Sequence, residues 1–236
     1  MSTQNIQIRE LAAWGFDDPV DRGLLLPEEL PSAVCRARRR LERRESHRRE
    51  SPISIECSRR LARELAARKQ GIRSSGEFDG LTWVLAVVDL RKLIAFQRRI
   101  GFGDDDHLEI EPAAGWQQLL EVALPIHPHS KSPYMEIASY RGRWFLRDGY
   151  HRSFRILKRG ISLVPAVVVY AETLAQLGAI GSQFFAEEIL FSRSPPLLAD
   201  FLDDQMVLRY LRPQREIVAP PLHEPVEASC WNREEI

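Results

Sequence analysis

Two stretches of the chain are apolar at nearly every position. Residues 81–90, Leu-Thr-Trp-Val-Leu-Ala-Val-Val-Asp-Leu, and residues 163–170, Leu-Val-Pro-Ala-Val-Val-Val-Tyr, are short and rich in β-branched side chains. This pattern predicts strands buried on both faces. Residues 134–140 and 143–147 flank Arg141-Gly142, which predicts a hairpin. Between that hairpin and the second apolar strand, a helix is expected to start after Gly149 and stop at Gly160, where a glycine suits the C-terminal turn. Further helices are expected over 32–50, 58–69, 91–100, 115–124, 172–177, 182–191 and 196–211. Leu61, Leu65 and Ala66 form a narrow apolar stripe on the second of these, and Pro195-Pro196 suits the first turn of the last. Residues 1–31 read as irregular, 71–80 as a Gly/Ser linker, 101–107 and 126–133 as loops, and 213–236 as a proline-broken acidic tail. The expected fold class is α/β: a small mixed sheet with helices around it. An arginine-rich helical extension (1–79) would precede a core (80–170), and a C-terminal helical segment (171–236) would follow it.

Composition narrows this picture only a little. The 236 residues suffice for one substantial core, and the 44% hydrophobic and 28% charged fractions are those of a globular protein. No apolar run is long enough for a bilayer, and the first residues lack the apolar stretch of a secretory signal. Cys35, Cys57 and Cys230 are odd in number and spaced unlike a metal motif, so a reducing cytoplasm is the expected location.

The net charge of zero hides an arginine cluster: Arg36, Arg38, Arg39, Arg40, Arg43, Arg44, Arg48 and Arg49. Such a helix can meet the phosphates of a nucleic acid. It can also be a solvated helix paired internally through Glu42 and Glu45, or it can dock on the acidic set Glu187, Glu188, Asp200, Asp203 and Asp204. No aromatic residue lies among the arginines to stack bases, which favours the two intramolecular readings. Asp104-Asp-Asp-His107 with Glu109 and Glu111 offers carboxylates for Mg²⁺ or a general base, although loops collect such residues anyway. Glu136 is a further general-base candidate. Gln97 suits either a ligand contact or packing, and His127 and His129 lack a third metal ligand.

The sharpest motif is Asp148-Gly149-Tyr150-His151-Arg152, running on through Arg155 and Lys158. A strand ends in an Asp-Gly turn and a helix opens with cations in its first turn. The unpaired N–H groups there carry partial positive charge and receive anions. Arginine adds a planar fork for phosphate oxygens and histidine a titratable donor. The bland alternative is a turn capped by Asp148 with Arg152 in solvent. A cationic first turn opposes the helix dipole unless an anion is supplied, and this favours phosphate binding.

This block, with the following helix, Gly160 and the Val-Pro-Ala-Val-Val strand, resembles the ParB/sulfiredoxin superfamily. Members carry Gly-Glu-Arg-Arg, Gly-Gly-Cys-His-Arg or Asp-Gly-His-His-Arg at this place, where the motif holds nucleotide phosphates. The likeness covers residues 80–170, and the nearest motif is that of the ADP- or ATP-dependent free-serine kinases, with Tyr150 in place of the first histidine. A tyrosine cannot perform the thiol chemistry of sulfiredoxin. The glutamate and first arginine of the CTP-hydrolysing partition members correspond to Tyr150 and His151. The resemblance implies a nucleotide (ATP, ADP or CTP) held with Mg²⁺ by Gly149, Tyr150, His151, Arg152 and Arg155. Asp148, His151 and Arg152 would serve phosphoryl transfer or hydrolysis, and the acceptor would be a small hydroxyl compound. The alternative is a DNA-binding, partition-like or nuclease-like regulatory module using Arg36–Arg49, and a third is a fold retained without catalysis.

Overall fold

The computed structural model describes residues 5–15, 29–47, 50–67, 75–78, 81–102, 135–177 and 184–213. In these residues the chain is a mixed α/β protein built on two sheets. The larger sheet has six strands. β2 (Ser75–Phe78) and β3 (Leu81–Asp89) lead into a 3₁₀ turn, Leu90–Lys92, and the short β4 (Ile94–Ala95). β6 (Met135–Tyr140), β7 (Arg143–Asp148) and β8 (Leu163–Tyr170) complete it, in the order β2-β3-β8-β6-β7-β4. β3 and β8 pair antiparallel over seven residues at its centre, β6 joins β8 in parallel, and β4 joins β7 in parallel. The β6–β7 hairpin turns at Arg141 and Gly142, whose φ values of 48° and 71° are the pair of positive angles that a tight two-residue hairpin turn requires.

The smaller sheet has the order β5-β1-β9, with β1 (Asn5–Leu11) between β5 (Arg99–Phe102) and β9 (Val207–Pro213), antiparallel to both. The three stretches anticipated as extension, core and C-terminal segment thus contribute one strand each to one sheet. Strand β1 falls where irregular chain was expected, and the Ile6-Gln-Ile8-Arg alternation accounts for it. The expected helix over 91–100 is instead the 3₁₀ turn, β4 and β5. Leu93, Ile94, Ala95 and Phe96 are buried on all sides, and the Ala95 N–H and Leu93 carbonyl bond Pro196 and Leu198. The expected helix over 196–211 is a 3₁₀ segment, Leu198–Leu202, followed by β9, whose pairing along all of β1 outweighs helix propensity. Likewise β2 lies inside the expected linker 71–80.

Helices α1 (Glu29–Glu42) and α2 (Ile55–Ala67) form near the places expected. α3 (Tyr150–Lys158) follows β7 after a single residue, while α4 (Leu174–Leu177) and α5 (Glu187–Leu190) are one turn each. Alternation along the strands divides the large sheet. Ala86, Val88, Val164, Ala166 and Val168 enter the main core with Phe154, Ile156 and Leu157 of α3. Val87, Leu85 and Val167 meet Leu61 and Leu65 of α2 on the other face. α1 lies on the small sheet through Ala33 and Ala37 against Ile8 and Leu208.

The arginines of α1 and of the turn that follows it are divided between acid-paired and exposed positions. Arg44 donates two hydrogen bonds to the Asp200 carboxylate, at 2.8 and 2.7 Å, and Arg40 donates to Asp203 at 2.7 Å. These are the contacts of the docking reading, in which the helix meets acidic side chains of its own chain. Arg36, Arg39 and Arg43 stay exposed. Among the described residues no helix is long and apolar enough to cross a membrane. The Asp104–Glu111 cluster, His127, His129, Arg48, Arg49, Cys230, the expected helix 115–124 and the tail beyond Pro213 lie outside the described residues.

Candidate anion site at the start of helix α3

β7 delivers Asp148 to the sheet end, and the chain must turn at once to lay α3 across the core. Gly149 makes that turn with φ 95° and ψ 27°, in the left-handed region open to glycine. The space is closed to anything larger: a Cβ at Gly149 would sit 2.7 Å from Met135 Cγ. The first helical hydrogen bond runs from Ser153 N–H to the Gly149 carbonyl at 2.8 Å. The amides of Tyr150, His151 and Arg152 therefore precede the helical ladder, and the N-cap, being Gly149, has no side chain to cap them. There is no acidic residue in the first turn, so the positive end of the helix dipole is uncompensated from within the helix.

Side chains on a helix lean toward its N-terminus, and Arg152 follows this rule. Its Nη2 lies 3.6 Å from the point where a Gly149 Cβ would stand and 3.9 Å from Asp148 Oδ2. The guanidinium is thus folded back over the mouth of the helix, one-third exposed, beside a carboxylate that is 65% exposed. A pair this long in solvent contributes little to stability. Ser153 is fully buried and anchors the turn from beneath, its hydroxyl lying 2.8 Å from both the Gly149 carbonyl oxygen and Met135 Sδ, with one proton to donate to either.

Tyr150 serves a different purpose from its motif neighbours. Its ring is buried edge-on to Phe96, with centroids 5.9 Å apart, and its hydroxyl accepts the backbone N–H groups of Phe96 at 3.0 Å and Gln97 at 3.4 Å. Burial pushes the phenol well above its ordinary range, which keeps it a neutral acceptor. Only its backbone N–H belongs to the mouth of the helix. Gln97 is joined to this clamp and bridges to Phe184. His151 is exposed at one edge and packs its ring against Phe102 of β5 at 5.7 Å. Burial lowers its pKa despite a backbone contact with Gly101 and the nearby charge of Asp148. The shift favours the neutral imidazole near pH 7, a hydrogen-bonding group in keeping with the titratable donor expected from the sequence. Arg155 lies one turn further along the helix, half-buried, and its pKa is lowered by burial and then by Arg159. Lys158 is exposed beyond it.

Glu136 lies opposite Asp148 in the hairpin register but accepts a hydrogen bond from Arg147 Nη1 at 2.9 Å. Asp148, His151 and Arg152 are thus brought together, while Glu136 is engaged at the neighbouring register position. Among the described residues no group of three or more His, Cys, Asp or Glu side chains is placed to hold a metal ion. Asp148 is one exposed carboxylate at the mouth. That suits Mg²⁺, which commonly takes one or two protein carboxylates and completes its shell with phosphate oxygens and water. In comparisons with known proteins, the chain matches no family model, no curated protein and no solved structure.

Proposed function

We propose that the turn at Gly149 is a phosphate site and that this chain is a nucleotide-binding protein of the ParB/sulfiredoxin-like kind. The reading rests on one observation above all: an uncapped helix start, with no acidic residue in its first turn, over which a partly exposed guanidinium is folded. Backbone amides fixed by the fold need no reorganisation when charge develops on a phosphoryl oxygen. A guanidinium placed beside those amides, as that of Arg152 is, can add charge-assisted hydrogen bonds to the same oxygens. The neutral His151 can donate to a terminal phosphate oxygen or accept a proton from a hydroxyl acceptor. Asp148 would hold Mg²⁺ together with the phosphates, and the metal would neutralise phosphate charge. The reaction class that fits is phosphoryl transfer from ATP or another nucleotide to a small hydroxyl compound, or hydrolysis of the nucleotide.

Calorimetric titration with ATP, ADP and CTP in the presence of Mg²⁺ tests this reading. Binding by the natural protein and a loss of roughly tenfold or more in Arg152→Ala are expected, as for removal of a charge-assisted hydrogen bond. No nucleotide binding by the natural protein would end it. The DNA-binding alternative is weakened because Arg40 and Arg44 are committed to Asp203 and Asp200, leaving it the outer arginines.

A further inference from the structure

On the face of the large sheet that carries α2, away from the mouth of α3, there is a cavity of about 280 Å³. Leu81 and Trp83 of β3, Val167 and Val169 of β8, Glu136 of β6 and Arg147 of β7 line it. Its walls are apolar, and its charged groups are confined to the Arg147–Glu136 pair. The indole wall is built in. Gly76 pairs with Trp83 across β2 and β3, and a Cβ at Gly76 would stand 2.9 Å from the Trp83 ring, so the glycine makes room for the indole to lie where it does. The volume falls just below the range of about 300–1,000 Å³ typical of sites for drug-sized ligands, so the occupant is smaller than those.

Arg147 sets the charge of that occupant. Its side chain is 29% exposed, and Nη1 is the donor that engages Glu136. A guanidinium has five N–H donors in a rigid fork, and a single carboxylate contact leaves donors able to receive a second acid. Glu136 then serves to orient the fork.

We infer that this cavity binds a small amphipathic carboxylate, its chain lying between Trp83 and the two valines and its acid group on Arg147. This second site goes beyond the nucleotide reading and does not depend on it. No group of the phosphate site lines the cavity; Asp148 ends β7 beside Arg147 and opposite Glu136, and the residues from Gly149 to Arg152 follow the strand.

Hexanoate and hexylamine, which share one chain and differ in charge, are the probes, titrated into the full-length protein. The indole N–H resonance of Trp83, identified by its disappearance in Trp83→Phe, is the readout. A saturable shift with hexanoate and a much weaker one with hexylamine are expected. Arg147→Met in a Glu136→Gln background, which strands no carboxylate, should weaken hexanoate roughly tenfold or more. Val167→Phe, which fills the cavity, should abolish the shift. Glu136→Gln alone should retain it. No saturable shift in the natural protein, tighter binding of hexylamine, or undiminished hexanoate binding without Arg147 would each overturn the assignment. Arg152→Ala should leave the hexanoate titration unchanged, so this outcome is separate from the nucleotide result.

Discussion

Tyr150→Phe separates a structural motif residue from a ligand-binding one. The substitution keeps the ring and its contact with Phe96 and removes only the hydroxyl. The Phe96 N–H, now bonded at 3.0 Å within a residue that is 2% exposed, is left buried without an acceptor. An unsatisfied buried donor costs about 1–3 kcal/mol. The longer bond from Gln97, at 3.4 Å and half-buried, adds little. For a chain of this size each kcal/mol corresponds to about 2–4 °C in Tm, so a drop of several degrees is expected, with a matching fall in the urea midpoint at unchanged slope. Nucleotide affinity should stay near that of the natural protein, because only the Tyr150 backbone faces the mouth of α3. Stability unchanged to within about 0.5 kcal/mol, together with lost nucleotide binding, would refute this reasoning and return the phenol to the site.

Gly149→Ala should cost about 1–3 kcal/mol, since alanine is strained at φ 95° and its methyl would press on Met135 Cγ; chemical denaturation checks it. Arg44→Ala should be more damaging, about 3–5 kcal/mol. It strands the Asp200 carboxyl, which burial already pushes up and which Arg44 and the Leu197 N–H pull back. Arg36→Ala, at an exposed position of α1, should leave the unfolding midpoint where it is. Burial lowers the pKa of both His47 and His151, the former also under the charges of Arg143 and Arg44. The unfolded chain binds those protons more readily, so stability is complete above the ordinary value of about 6.5 and falls as pH drops through the lower folded values. Unfolding free energy followed from neutral to acid pH should decline over that window, and His47→Gln should flatten the slope.

Much of the chemistry at the Asp148-Gly149 turn was legible because it is local. A glycine next to a β-strand end, a cationic first turn and a terminating Gly160 specify strand, turn and helix within a dozen residues of each other. What the motif could not reveal is where each side chain points. Tyr150 and Arg152 are two residues apart and so lie on different faces of α3, one in the core and one at the mouth, a division set by where the helix lands on the sheet. His151 read as a titratable donor, and the fold lowers its pKa by burying part of a ring that also meets Phe102, distant in sequence.

The central strands β3 and β8, the hairpin with its two positive φ angles and the arginine helix follow from periodicity and turn chemistry alone. The small sheet does not. β1, β5 and β9 each lack a continuous apolar run; the short Ile6/Ile8 alternation permits a strand in β1, but pairing with partners as distant as Pro213 is to Asn5 is what makes the sheet. The segments 91–100 and 196–211 failed as helices for the same reason, because backbone groups satisfied by distant strands outweigh the preferences of their own residues. The choice among partners for the arginines, and the gathering of Trp83, Glu136 and Arg147 around one cavity, likewise required the third dimension. Charge and hydrophobicity are written in the sequence, but which groups share a surface is determined by how the two sheets close over the core.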